Sequence, residues 1–584
     1  MPRILRALIP FIVSFLTSIN PSTAQIHISG SLSGVLLDTT YIVDSTITVL
    51  EGNSLTILPG AVLKFASGDF DIRGTLSAVG TPTDSITFKR NEGSSGWGGI
   101  DFYQESNPAS ILEYCYITGA TASGVDLFSA SPSVGHCTIR DNAAGSTGGG
   151  IYISGSDAHI YNCSIIYNTG SMGGNMMVSG GASSPLIEDC SISYGSGTYY
   201  GGGVACFGGT PHFLNCQITH NIVTTISTAA YGGAFYLASA DPIIEGCEIS
   251  FNIAGQDYPG LGGGIYCTSA DPQIIDCVIR GNSVGVNSLG DGGGLNLMNS
   301  NPTITGCHIH NNYSDHMGAG IFMEYSEPII DRCTFTWNEA YFEGGSIFIN
   351  EGLLTLRNSI IEGSHGNGAV YFNTPGAHNI TYCDFNNPWS GNFAGAIYGT
   401  LGVISGFNPN GDPCDDYRNI YLYPLFDDPF NYSFTLIGNS PCIDAGNPAS
   451  AFDPDSTIAD QGCFAFDQSA YPASEATLTP IHPPIIIFAG GGHFEFNVIV
   501  SNNSTTGYEF DVWTNVMLPS GFVYGPVISV EGLWLEAGAS VNRDRVQAVP
   551  GNAPAGDYTY RVYVGQYPDS IYARDFFPFT KVGD

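Results

Sequence analysis

The sequence predicts an all-β chain, a parallel β-helix followed by a β-sandwich of about 100 residues. Three observations carry this expectation. One unit recurs through the middle of the chain every 22–31 residues. Glycine is abundant (76 of 584 residues), with 32 Tyr and 33 Phe and no long amphipathic helical pattern, which favours short strands joined by tight turns. Beyond residue 485 the unit stops and a plainer period-two alternation takes over.

The first element is a leader. Met1-Pro-Arg-Ile-Leu-Arg is followed by an apolar run from Ala7 to Leu16 and by Ser22-Thr23-Ala24 before Gln25. A charged start, a short apolar run and a small-residue cleavage site predict a signal peptide over 1–24. The run is too short to span a bilayer, and no later segment has that apolar length. The expectation is an extracellular or cell-surface protein with no transmembrane segment once the signal is removed. The chain carries 52 acidic and 16 basic residues, a net charge of −36. Such a surface repels nucleic acid and anionic membranes, and repels acidic polysaccharides unless a divalent cation bridges them.

The repeat occupies most of the next element, the solenoid over 25–467. It reads Gly-Gly-x-h-Tyr-h, a turn often ending in Pro, then h-x-x-Cys-x-Ile-x-x-Asn, where h is apolar. Gly263-Gly264-Ile265-Tyr266-Cys267, Pro272, Ile274, Cys277, Ile279 and Asn282 form one copy. The unit's cysteine falls at 115, 137, 163, 190, 216, 247, 277, 307, 333 and 383, with Ser359 standing in for one in the last, double-length gap. A period of this size is one coil of a solenoid, with insertions absorbed in loops. Stacked coils turn equivalent residues into files about 4.8 Å per step. The cysteines are expected to be buried small hydrophobes, because in-register parallel strands hold Cβ atoms farther apart than a disulfide prefers. The asparagines five residues later (Asn142, Asn168, Asn221, Asn252, Asn282, Asn312, Asn338) are expected to satisfy turn backbone. A closing segment is expected over about 401–467. One bridge is expected among its Cys414, Cys442 and Cys463, with Cys414–Cys442 favoured.

The Phe335-Thr-Trp-Asn338 element followed by Gly344-Gly-Ser-Ile347 resembles the repeats of the pectin-lyase-like superfamily, and more narrowly those of bacterial right-handed β-helix proteins and polymorphic outer-membrane adhesins. Val49 to Gly60, Trp97-Gly-Gly-Ile100, and Tyr423-Pro-Leu-Phe426 through Ser440 to Gly446 resemble first, following and closing coils of such proteins. The resemblance covers about 30–467. It implies a right-handed helix and leaves function open, because the fold hosts lyases, hydrolases and binders alike. The sequence departs from the adhesins in showing no translocator-barrel pattern, so autotransport is not expected.

Enzymes on this fold act on polysaccharides, and their demands can be checked. A lyase needs a basic residue beside the substrate carboxylate. Yet the helical region has lysine only at Lys64 and Lys89, and Arg140 and Arg280 lie five coils apart in one file. No Asn-Thr-Asp, Gly-His-Gly or Arg-Ile-Lys element of a hydrolase is present, and Ser364-His365-Gly366 is a weak fragment. His308 and His310 read as a solvated pair. Asp415-Asp416 and Asp427-Asp428 fall in the closing segment. The reading therefore leans away from catalysis, with a lyase or hydrolase as the alternative and a structural spacer as a third.

Binding has a better candidate. The outward position of the Gly-Gly-x-h-Tyr-h strand reads Tyr152, Ala205, Tyr236, Tyr266, Asn296, Phe322, Phe348, Tyr371 and Tyr398. Aromatic faces stack on sugar rings, so Tyr152, Tyr236, Tyr266, Phe322, Phe348, Tyr371 and Tyr398 are the expected contacts for a polysaccharide or cell-surface glycan. Asp453, Asp455 and Asp460 carry acids at the short spacing of a calcium loop, although Ser456 replaces the usual Gly. Calcium is the one cofactor this suggests.

The last elements are a Pro-, Ser- and Ala-rich linker over 468–484 and a module over 485–584. His493 to Val500, Tyr508 to Trp513, Tyr558 to Val564 and Ile571 to Phe579 alternate as short strands. Pro554-Ala-Gly-Asp-Tyr558 resembles the approach to a late strand of immunoglobulin- or fibronectin-like sandwiches, whose roles include anchoring, sorting and binding.

Overall fold

The computed structural model describes residues 25–94, 96–225, 229–255, 258–285, 289–469, 471–520 and 522–583. The expected leader at 1–24 lies outside them. Among the described residues no helix is long and apolar enough to cross a membrane.

Coils of the repeat contribute three main strands, each parallel and in register with its equivalents one coil away, and many add short turn strands that form a further 10-stranded sheet. Ile265–Thr268, the Gly-Gly strand of one copy, sits between Phe235–Ala238 and Leu295–Met298. Gln273–Ile275, before the cysteine, sits between Ile243–Glu245 and Thr303–Thr305 in a 14-stranded sheet. Val278–Arg280, after the cysteine, sits between Glu248–Ser250 and His308–His310. The strand alternation chooses the faces. Ile265, Cys267, Ile274 and Ile279 are fully buried, and their counterparts in other coils make one continuous apolar core.

The cysteine file does more than fill space. Cys277 Sγ donates to the Ile275 carbonyl (3.2 Å) and the Cys277 amide donates to Cys307 Sγ (3.4 Å). The thiols of the file thus close the turn before them, and those of Cys190, Cys247 and Cys307 also accept an amide from the preceding coil. Ser359 takes the same place, receiving the Cys333 amide at 3.0 Å.

The asparagine file is hydrogen-bonded coil to coil. Asn252 Oδ1 accepts from the Asn221 amide (2.9 Å) and Asn221 Nδ2 (3.0 Å), while Asn252 Nδ2 donates to the Ile218 carbonyl (2.9 Å) and Asn282 Oδ1 (2.9 Å). One coil has Gly195 where the repeat calls for Asn. There Asn175, from the neighbouring Gly-Gly turn, reaches in to accept from Asn168 Nδ2 and donate to Asn221 Oδ1, both at 3.0 Å. A Cβ at Gly195 would stand 2.5 Å from Asn175 Nδ2, so the missing side chain makes room for the substitute.

All fifteen cysteines are free, which corrects the expected bridge in the closing segment. Cys442 instead donates to Asp384 Oδ2 at 3.3 Å. A thiol-reactive dye added to native protein should label Cys463 at most, the one cysteine that is not buried, and all fifteen after unfolding without reductant. A lower count in the unfolded protein would reveal a bridge.

The C-terminal module starts earlier than its composition suggests. Ser474–Ile481, inside the expected linker, is a strand paired with Gly492–Asn502, which pairs in turn with Ser540–Val549. Tyr508–Met517, Val523–Leu535, Gly556–Gln566 and Ser570–Lys581 form a second sheet, mostly antiparallel and edged by Ile486–Ile487. Phe494 and Phe496 from the first sheet and Tyr560, Phe577 and Phe579 from the second share one core. Arg561 of this module is buried against Asp412 of the closing segment at 3.1 Å, and its guanidinium also donates to the Gly411 carbonyl at 2.7 Å. A cavity of about 390 Å³ lies between the two parts, lined among others by Trp513, Tyr563, Asp412 and Arg574.

Candidate functional site

The outward file of the Gly-Gly strands exists as a file, but it is largely closed. Tyr266 is 8 %, Phe322 7 % and Phe348 3 % exposed, which corrects the expected open aromatic face. The rings spend their faces on one another. Tyr236 and Tyr266 stack at 5.6 Å, as do Phe322 with Phe348 and Phe348 with Tyr371, both at 5.3 Å. Tyr200 and Tyr231, from the long turns, pack against Tyr236 and Tyr266. Tyr152 is half-buried and bonded to Ser179 Oγ at 3.0 Å. Tyr398 is not in the file at all. Ala394 stands opposite Tyr371, and the Tyr398 hydroxyl instead accepts the Ile380 amide at 3.3 Å.

An open aromatic ladder runs along a different edge. Tyr167, Tyr194, His220 and Phe251 occupy the corner just after the cysteine strand, each with φ between +53° and +57°. That left-handed corner swings the side chain outward. Successive rings pack at 4.8, 5.1 and 5.3 Å. Tyr167, Tyr194 and Phe251 are 43–46 % exposed. Arg140 lies over Tyr167 at 5.2 Å and Arg280 over Phe251 at 4.9 Å, so the two arginines of the distant file cap the ends of one ladder. The signal for it was in the sequence, as an aromatic or His four residues after cysteines 163, 190, 216 and 247.

The closed file begins in acids. Asp71, Asp101, Asp126 and Tyr152 stand directly opposite one another in successive coils. Asp69 joins them from the preceding turn, where Gly98 leaves it room. A Cβ on Gly98 would fall 1.6 Å from Asp69 Oδ1. Burial, then the Asp126 charge, raises the Asp101 pKa, and burial raises those of Asp126, Asp69 and Asp71. The Oδ1 atoms of Asp101 and Asp126 are buried without a hydrogen-bond partner. Alongside, Tyr103 and Phe128 stack at 5.6 Å, and Arg73 lies 4.0 Å from the Tyr103 ring and 3.3 Å from Glu105.

The other candidates have structural roles. His308 and His310 are 5 % and 3 % exposed, not solvated, because Phe434 and Phe464 of the closing segment cover them. Burial lowers both pKa values, that of His310 to about 4. In the Asp453 loop the carboxylates cap backbone. Asp453 accepts from the Asp460 amide (2.7 Å), Asp455 from the Thr457 (3.1 Å) and Gln468 (2.8 Å) amides, and Asp460 from those of Asp444 (2.7 Å) and Phe466 (2.6 Å). Oxygens committed to N–H donors are turn ligands.

The family model described as "Right handed beta helix region" matches residues 77–229 and 289–400. No curated protein matches. Among solved structures, a mutant tailspike of E. coli bacteriophage HK620 in complex with a pentasaccharide is 10 % identical, covers 86 % of this chain and 86 % of its own, and has a TM-score of 0.23. The enzymatically active domain of a bacteriophage CBA120 tailspike is 10 % identical over 91 % of this chain and 64 % of its own, at 0.20. A CARDB domain from Pyrococcus furiosus is 14 % identical over 20 % of this chain and 98 % of its own, at 0.15. Similarities this slight bear on neither fold nor function. The family match and the stacked parallel coils together do bear on the fold, and the chain is a right-handed β-helix repeat protein.

Proposed function

We propose that this chain is an extracellular or cell-surface protein that binds glycans on the outside of its solenoid, and that its C-terminal module is an immunoglobulin- or fibronectin-like sandwich holding the helix to its surroundings. The observation that carries the reading is the open ladder Tyr167–Tyr194–His220–Phe251. Four exposed rings at coil spacing form an apolar strip with polar edges, the surface a sugar chain needs. The acidic surface disfavours nucleic acid as the partner. The buried rings at Tyr266 and Phe322 would hold the ladder's scaffold, not the sugar.

Glycan-array retention tests this. Each ring contact contributes about 0.5–1.5 kcal/mol, so Tyr167→Ala with Tyr194→Ala should weaken binding roughly tenfold or more with the fold intact. Tyr266→Phe should leave binding unchanged. Equal retention by the double variant would sink the proposal, and release of reducing ends from a bound polysaccharide would replace it with a hydrolase.

A further inference from the structure

We infer that Asp69, Asp71 and Asp101 bind a hard divalent cation such as Ca²⁺, with Asp126 behind Asp101 as a fourth carboxylate. The inference stands apart from glycan binding. It starts from distances: one oxygen of each of the three residues lies within 4.8 Å of the others. Ca²⁺ holds its oxygens at about 2.3–2.6 Å, so ligands on opposite sides of the ion stand about 4.6–5.2 Å apart.

The second observation is Asp126. It is 9 % exposed, stands directly opposite Asp101, and has an Oδ1 with no partner, as does Asp101. Two carboxyl groups side by side, each with a buried Oδ1 that no donor reaches, concentrate negative charge that little else offsets. A cation held by Asp101, Asp69 and Asp71 would neutralise that charge. The groups facing this cluster are Asp69, Asp71, Tyr103 and Arg73, and Arg73 is engaged with Glu105 and the Tyr103 ring. None competes for the ion's place as a fixed cation inside the cluster.

Terbium(III), a luminescent stand-in for Ca²⁺ excited through nearby phenol rings, tests this on the full chain. Tyr103 is two residues from Asp101 on the same face. The expected result is saturable Tb³⁺ emission, displaced by Ca²⁺ and weakened about tenfold or more in Asp71→Asn and in Asp101→Asn, since ligand charge sets affinity. Both substitutions are isosteric and remove like-charge repulsion, so both variants should melt no lower than the parent without metal. Asp71, half-exposed, provides the test if Asp101→Asn perturbs folding. Emission that is absent, or equal in parent and variants, overturns the site. The second outcome would assign the metal to the diffuse acidic surface.

Discussion

Replacing Asn252 with alanine should cost roughly 3–6 kcal/mol, because the substitution strands several buried groups at about 1–3 kcal/mol each. The Asn221 amide loses its acceptor and the Ile218 carbonyl its Asn252 donor, while Asn221 Nδ2 keeps only the Ile192 carbonyl and Asn282 Oδ1 loses one of two donors. No water reaches the file to compensate, since Asn221, Asn252 and Asn282 are fully buried. In a solenoid each coil touches only its neighbours, so the damage should be local at first. Hydrogen exchange should show the amides of Asn221 and Ile253 opening well before those of coils near Ile72, together with a lower melting temperature. An exchange pattern unchanged at Asn221 would mean that the ladder does not hold the turns. Gly195→Asn should fail in a related way, by expelling Asn175 from the place it fills.

Asp412→Ala should loosen the C-terminal module from the solenoid. Arg561 is 6 % exposed, and removing its carboxylate leaves a buried charge whose remaining close acceptors are neutral, among them the Gly411 carbonyl. Breaking such a pair costs about 3–5 kcal/mol, whereas replacing both partners with apolar residues is far milder. Asp412→Leu combined with Arg561→Met should therefore recover most of the loss. The readout is protease cleavage near residues 468–473 and a melting transition for the module separate from that of the coils. If Asp412→Ala melts as the parent does, with no new cleavage, the pair does not hold the modules together. Contacts at Ile571, whose amide donates to the Gly438 carbonyl at 3.1 Å, and at Arg574, which donates to the Ile443 carbonyl at 2.7 Å, would then suffice.

The solenoid was legible because its rules are local and repeated. Cys277, Ile279 and Asn282 recur at fixed spacing, and period-two geometry sends each to a fixed side. The same logic named Ser359 as a stand-in for cysteine. It stopped at Gly195, where the missing asparagine is supplied by Asn175, a residue out of phase with the repeat. It also stopped at Tyr398. The outward phase of the Gly-Gly strand predicted it as the next ring, but the last coil breaks register and Ala394 takes that place.

What the sequence by itself determined is the winding of the chain, the faces of its strands and the identity of its interior files, because in-register parallel pairing follows from a repeat without reference to anything distant. What only the tertiary structure decided is which outer positions meet solvent and which meet one another. Phe434 and Phe464 bury His308 and His310 from more than 120 residues away. Long turns shut Tyr236 and Tyr266 under Tyr200 and Tyr231 while Tyr167 and Phe251 stay open, and Asp69, Asp71, Asp101 and Asp126 converge from three coils. Exposure and convergence depend on the path of the variable turns and of the closing segment, which carry no period for a repeat to reveal.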